Sequence, residues 1–320
     1  MLEPRIAKGP SRLSFPILVL AFFVSSCHSA DAPDFEQGVK RINGTKLFYR
    51  AIGEGEPLVI AHGGPGMDQN YLLPQMEELA KQHRLIFYDQ RGTGGSSPEI
   101  DPSAITIERF VDDLNEIRKA FDIEKMNLLG HSWGGLLSMY YATTHPDKMK
   151  TLILANTMPA TSEFWASFAE NLNRNRKPAD SLALSEIAAS EEFAAKSPAA
   201  LRNYWQIFFR SYFYDQSLSY SLNLEQTKTT WANGDAVSNL LWEDRLEDFD
   251  IYDQLASVSC PTLIVHGDFD PVPLKYAQEI HETIANSQLV ILENSGHFSY
   301  IETPAEFYSA VTDFLKNGHD

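Results

Sequence analysis

Cysteine is nearly absent from this chain: Cys27 and Cys260 are the two among 320 residues, too few and too far apart for a disulfide framework. Its nine histidines are scattered without ligand spacing, so neither a zinc nor a redox site is expected, and no cofactor is implied. Basic residues are also scarce. Against 43 acidic side chains stand 26 basic ones, and the formal charge of −17 excludes a nucleic-acid partner and argues against an anionic membrane surface. Long apolar runs are missing as well, since the stretch from Leu13 to Val24 is too short to span a bilayer comfortably. No internal repeat or low-complexity tract stands out. What remains is a chain with 43% hydrophobic residues, enough for a sizeable core.

The first 27 residues read as an export segment. Arg5, Lys8 and Arg12 precede the short apolar run, and Val24-Ser25-Ser26-Cys27 resembles a bacterial lipoprotein box, in which the cysteine becomes the lipidated first residue. This predicts an exported protein of the cell envelope, held at the membrane by a lipid anchor on Cys27. A plain secreted form cleaved near Ala30 and an uncleaved anchor are the alternatives. Cys260, before Pro261 at the start of an apolar strand, reads as a small buried thiol.

After the linker at 31–34, two alternating runs flank Asn43-Gly44, a hairpin signal. Strand-like runs then follow at Pro57 to His62, Arg84 to Asp89, Lys125 to Gly130, Met149 to Asn156, Pro261 to Gly267 and Gln288 to Leu292. Helical patterns fit 68–82, 106–121, 133–145, 273–285 and 303–316. That alternation predicts an α/β fold with a mostly parallel, doubly wound sheet covered on both faces. The rhythm breaks between Thr157 and Ile251, a stretch without strand signals but loaded with aromatics, including Phe164, Trp165, Trp205, Tyr212, Trp231 and Trp242. The simplest reading is a helical cap inserted in the core. The expected organisation is therefore export segment 1–27, core 28–156, cap 157–251 and core 252–320. The cap's aromatics either pack on one another, the commoner outcome, or line a pocket.

Gly130-His131-Ser132-Trp133-Gly134 directly follows an apolar strand, and small residues on both sides of Ser132 permit the sharp strand-to-helix turn that exposes a nucleophile. A serine hydroxyl needs a base and an orienting acid, which in such sheets come from loops at the carboxyl ends of later strands. His297 follows one such strand and Asp270 another, with Asp268 a competing acid two positions earlier. The order Ser132, Asp270, His297 is the one expected of α/β-hydrolases. His131 is expected to pack or shape the turn. Oxyanion donors are expected from the backbone amides of Trp133 and of Gly64, in the loop His62-Gly63-Gly64-Pro65-Gly66 that closes the first core strand.

Taken together, His62-Gly63-Gly64-Pro65-Gly66, Asp89-Gln90-Arg91-Gly92-Thr93-Gly94-Gly95-Ser96 and Gly130-His131-Ser132-Trp133-Gly134-Gly135 resemble the proline iminopeptidase (prolyl aminopeptidase) family of α/β-hydrolases. The similarity covers essentially everything after the export segment. It implies the α/β-hydrolase fold and a serine exopeptidase that releases an N-terminal residue, typically proline, from short peptides through an acyl-enzyme, without metal or organic cofactor. The family pattern Gly-x-x-Asp places the acid at Asp270, and the resemblance implies architectural roles for Asp89 and Arg91. Gly92 to Gly95 lack the lysine of a phosphate loop.

The resemblance also implies cap carboxylates that read the substrate's free ammonium, because a buried cation needs a paired anion. Here Gln206 follows Trp205, and Pro271 follows the catalytic aspartate, where an acid is expected. Glu225, Glu243 and Asp244 are the substitutes the sequence offers. An esterase or lactonase acting on a small acyl ester would need no such carboxylate and is the same-fold alternative. A non-catalytic binding protein has no use for all three of Ser132, Asp270 and His297, and dehalogenase or epoxide hydrolase chemistry needs an aspartate where Ser132 stands.

Overall fold

A computed structural model describes residues 35–317. The export segment, the lipidation at Cys27, cleavage at Ala30 and the linker at 31–34 lie outside those residues. Among the described residues no helix is long and apolar enough to cross a membrane.

The chain opens with β1 (Phe35–Ile42) and β2 (Thr45–Ile52), joined by Asn43 and Gly44 at φ of 44° and 78°. Positive φ at both central residues is the type I′ geometry whose twist matches the flanking strands, and asparagine followed by glycine adopts it at low cost. Next come β3 (Glu56–Ala61), β4 (His83–Tyr88), α1 (Ile107–Ala120), β5 (Met126–His131), α2 (Trp133–Thr144) and β6 (Met149–Ala155). The expected helix over 68–82 is instead two 3-10 segments, Gln69–Leu72 and Gln75–Lys81. Pro74 is the cause: the residue before a proline is pushed out of the helical region, and Leu73 sits at φ −105°, ψ 145°.

Between β6 and β7 lies a helical insertion containing α3 (Phe164–Asn175), α4 (Pro178–Ala188), α5 (Glu191–Ala194), α6 (Pro198–Phe209), α7 (Lys228–Leu241) and a single π-helical turn at Trp242–Leu246. An isolated bridge between Thr161 and Asp250 joins the two ends of this segment. The chain finishes with α8 (Tyr252–Leu255), β7 (Thr262–Gly267), α9 (Leu274–Thr283), β8 (Ser287–Leu292), α10 (Ser299–Glu302) and α11 (Pro304–Asn317).

The eight strands form one sheet in the order β1-β2-β4-β3-β5-β6-β7-β8, antiparallel at the β1-β2 and β2-β4 pairings and parallel in the rest. Helices cover both faces, so strands β5 and β7 are buried at every position, which is why apolar residues dominate their sequences. Side chains alternate across the sheet. Leu128, Leu152 and Ile264 meet α1, α2 and α9 on one face, while Leu129, Ile153 and Leu263 meet Phe307, Val311 and Phe314 of α11 on the other. In a parallel sheet all carboxyl ends lie on one edge. Loops after β3, β5, β6, β7 and β8 therefore converge there.

Candidate active site

Ser132 occupies the turn between β5 and α2 at φ 57°, ψ −124°, a backbone conformation that non-glycine residues rarely adopt. The turn is possible because the residues two positions away on each side are glycines. A Cβ on Gly130 would strike the carbonyl of Gly134, and one on Gly134 would strike the carbonyl of Ala61, so glycine at both positions lets the helix start against the end of β3. Ser132 itself is partly exposed, in contrast to His131 and Trp133 on either side.

Asp270 and His297 meet across the ends of β7 and β8. The imidazole Nδ1 of His297 lies 3.0 Å from Asp270 Oδ2 and 3.1 Å from Oδ1. Asp270 also accepts from the Val272 amide at 2.8 Å and from Asn156 Nδ2 at 2.9 Å. Burial works to raise the pKa of Asp270, but the facing His297 ring and these donors more than offset it and hold the carboxyl below its ordinary value. Asp268, the competing acid, is exposed and accepts from the backbone of Ser295. Sequence reasoning missed Asn156. At φ 45° just past β6, it also donates to the Gly296 carbonyl at 3.0 Å and so braces both loops.

The glycine loop after β3, expected to supply an oxyanion donor, reaches the same place. A Cβ on Gly63 would sit 2.9 Å from Ser132 Cβ, and Gly64, at φ 132°, lines the cavity with Ser132. Trp133 is turned inward, its indole donating to Gln90 Oε1 at 2.8 Å. Its backbone N–H belongs to the first turn of α2, where helical amides lack partners within the helix. Gln90 also takes up His62, donating to its carbonyl at 2.8 Å and, through its backbone N–H, to His62 Nε2 at 3.1 Å. One residue thus ties the glycine loop after β3 to the Ser132 turn. Its neighbours are architectural: Asp89 accepts from Gln69 and Gly95, and Arg91 grips Asp113 bidentately at 2.6 and 2.8 Å.

Ser132, His297 and Gly64 open on one cavity of about 340 Å³. Phe164, Trp165, Phe168, Trp205, Phe208, Phe209, Tyr212 and Trp242 of the insertion line it. These rings also touch one another, as in the 5.0 Å contact of Trp165 with Trp242, so packing and pocket lining are the same surface here. Among the described residues no carboxylate lines this cavity. Glu225 is salt-bridged to Arg202 at 2.6 Å with its side chain 67% exposed, Glu243 is exposed, and Asp244 accepts from the Ile107 amide. None of these three lines the cavity. An adjoining cavity of about 360 Å³ shares Pro65, Met67, Trp205 and Ser238 with the first, and Asp235 is its single acidic lining residue. Among the described residues no three His, Cys, Asp or Glu side chains are grouped to hold a metal ion.

Comparison with known proteins agrees with this architecture. Residues 56–304 match the family described as the alpha/beta hydrolase fold, so fold and site together define a hydrolase. A proline iminopeptidase of Saccharolobus solfataricus is 31% identical over 88% of this chain and 92% of its own length. That of Heyndrickxia coagulans is 28% identical over 88% and 99%. The crystal structure of the proline iminopeptidase of Mycobacterium smegmatis superposes with a TM-score of 0.67 at 24% identity, covering 89% of this chain and 99% of that one. The chain belongs to the proline iminopeptidase family of α/β-hydrolases.

Proposed function

We propose that the protein is a serine hydrolase that releases N-terminal proline, or another small residue, from short peptides through an acyl-enzyme. One observation carries the reading: a serine forced into an exposed strand-to-helix turn and a histidine paired with a buried aspartate open on one cavity. Ser132 Oγ attacks the scissile carbonyl as His297 Nε2 takes its proton. Asp270 holds the ring from the Nδ1 side and stabilises the imidazolium, while the Gly64 and Trp133 amides receive the developing oxyanion. His297 then returns the proton to the departing amine. Water attacks the ester by the same route and frees Ser132.

The names of the relatives support proline as the released residue. The apolar lining favours a second reading, an esterase or lactonase, since a free ammonium buried among rings without an anion is costly. In the peptidase reading the candidate anion is Asp235, an exposed residue lining the adjoining cavity together with Lys196. The experiment compares a prolyl arylamide, its N-acetylated form and a simple acyl ester. Peptidase action predicts turnover of the free arylamide with loss of at least about 10²-fold on acetylation, and a raised KM for the free form in Asp235→Asn. Equal rates on free and blocked arylamides, or turnover of the ester alone, would establish the esterase reading instead.

A further inference from the structure

We propose that His131, the residue preceding Ser132, is a positioning residue for the catalytic base: its ring closes a hydrogen-bond circuit running from the backbone of the oxyanion loop to the backbone of His297. The inference rests on the roles given above to Ser132 and His297. Three contacts make the circuit. The Gly63 N–H donates to the Tyr71 hydroxyl at 2.6 Å, that hydroxyl lies 2.8 Å from His131 Nδ1, and His131 Nε2 lies 2.9 Å from the carbonyl oxygen of His297.

The proton positions follow from the inventory of donors. Gly63 can only donate, so the phenol oxygen accepts there and its single proton points to His131 Nδ1. Nδ1 is then bare, and the ring proton sits on Nε2, where the His297 carbonyl accepts it. One tautomer satisfies every member, and both side chains are buried, His131 1% and Tyr71 2% exposed. Burial, aided by the nearby His297 ring, pushes His131 down to about 3, so the ring stays neutral and the circuit stays in one state throughout the neutral range. Phe298 stacks on the ring at 5.7 Å and Tyr300 meets it edge-on at 5.5 Å, which leaves it one orientation.

His297 is thereby held on three sides. Its N–H donates to the Tyr212 carbonyl at 2.8 Å, its ring is aligned by Asp270, and its carbonyl is held by His131. The hold through His131 is the one that matters for registry, because His131 and Ser132 share a peptide bond. The strand end that carries the nucleophile also fixes the base. Phenylalanine would fill the same space among these rings but could not donate.

The test uses the full chain with Ser132→Ala, His131→Phe, His131→Gln and Tyr71→Phe, measuring fluorophosphonate labelling, kcat and KM on whichever substrate the wild type turns over, and unfolding midpoints. Misplacing a base by about 1 Å costs about 10²-fold, so His131→Phe should lose about that much in kcat and in labelling rate with KM nearly unchanged. His131→Gln, whose amide both accepts from Tyr71 and donates to the carbonyl, should recover most of the loss, and Tyr71→Phe should fall between. His131→Phe or Tyr71→Phe labelling at the wild-type rate overturns the inference, as does a nitrogen-15 spectrum of the wild type with the proton on Nδ1. Should His131→Phe not fold, Tyr71→Phe and the spectrum decide. Equal labelling of wild type and Ser132→Ala brings down the Ser132 reading itself, a separate outcome.

Discussion

At the scale of single residues, the site separates two acids that the sequence leaves side by side. Asp270 is buried against His297 with Val272 and Asn156 as further donors, whereas Asp268 faces solvent. Asp270→Asn keeps the shape but invites the wrong tautomer of His297, and in a serine triad such a change lowers kcat by about 10⁴-fold. Asp268→Asn should leave kcat within about twofold, since exposed side chains away from the chemistry change little. Steady-state rates of both variants on one substrate check the pair; comparable losses would show that the acid has been misplaced. Ser132, Asp270 and His297 could be nominated from the sequence because each follows an apolar strand. Asn156 and Tyr71 could not, since their partners lie 114 and 60 positions away and no local pattern marks such a hydrogen bond.

At the scale of elements, the glycine loop after β3 and the Ser132 turn are held by the segment after β4, and a buried ion pair helps to anchor that segment beside the hydrogen bonds of Asp89. Arg91 and Asp113 are 5% and 2% exposed as side chains, and Asp113 also accepts from Asn43 at the β1-β2 turn. Burial raises the pKa of Asp113, while the Arg91 guanidinium works against that rise. Removing Arg91 leaves a buried carboxylate without its cation, which costs about 3–5 kcal/mol. Arg91→Met should lose that much in chemical denaturation, and Arg91→Met with Asp113→Leu should regain most of it, because the cost lies in the orphaned charge. A single variant as stable as the wild type would show the pair to be dispensable. The hairpin was readable from Asn43-Gly44 and the sheet from its apolar runs. The helix over 68–82 was overread because the apolar pattern continues through Pro74 while the backbone does not, and the aromatics of the insertion gave no way to tell lining from packing before the helices were placed.

At the scale of the molecule, the chain carries a formal charge of −17. A body of this size has a radius of gyration of about 19 Å. Charges interact across distances of about 30 Å in 0.01 M salt but only about 8 Å in 0.15 M, so at low salt every carboxylate feels the rest and at higher salt only its neighbours. Unfolding spreads these charges apart, and their repulsion therefore destabilises the folded state most at low salt. The opposing effect is the screening of surface pairs such as Lys81–Glu78, Arg84–Glu36 and Arg245–Glu108, each exposed and worth about 0–1 kcal/mol at most. The pair that matters for stability, Arg91–Asp113, is buried and little screened. Net repulsion should win. The thermal midpoint is expected to rise by at least about 2 °C between 0.01 and 0.15 M sodium chloride, the shift that about 1 kcal/mol produces in a domain of this size. Calorimetry at several salt concentrations measures it, and a midpoint that falls with salt would mean that local ion pairs, rather than the overall negative charge, govern how tightly this fold is held.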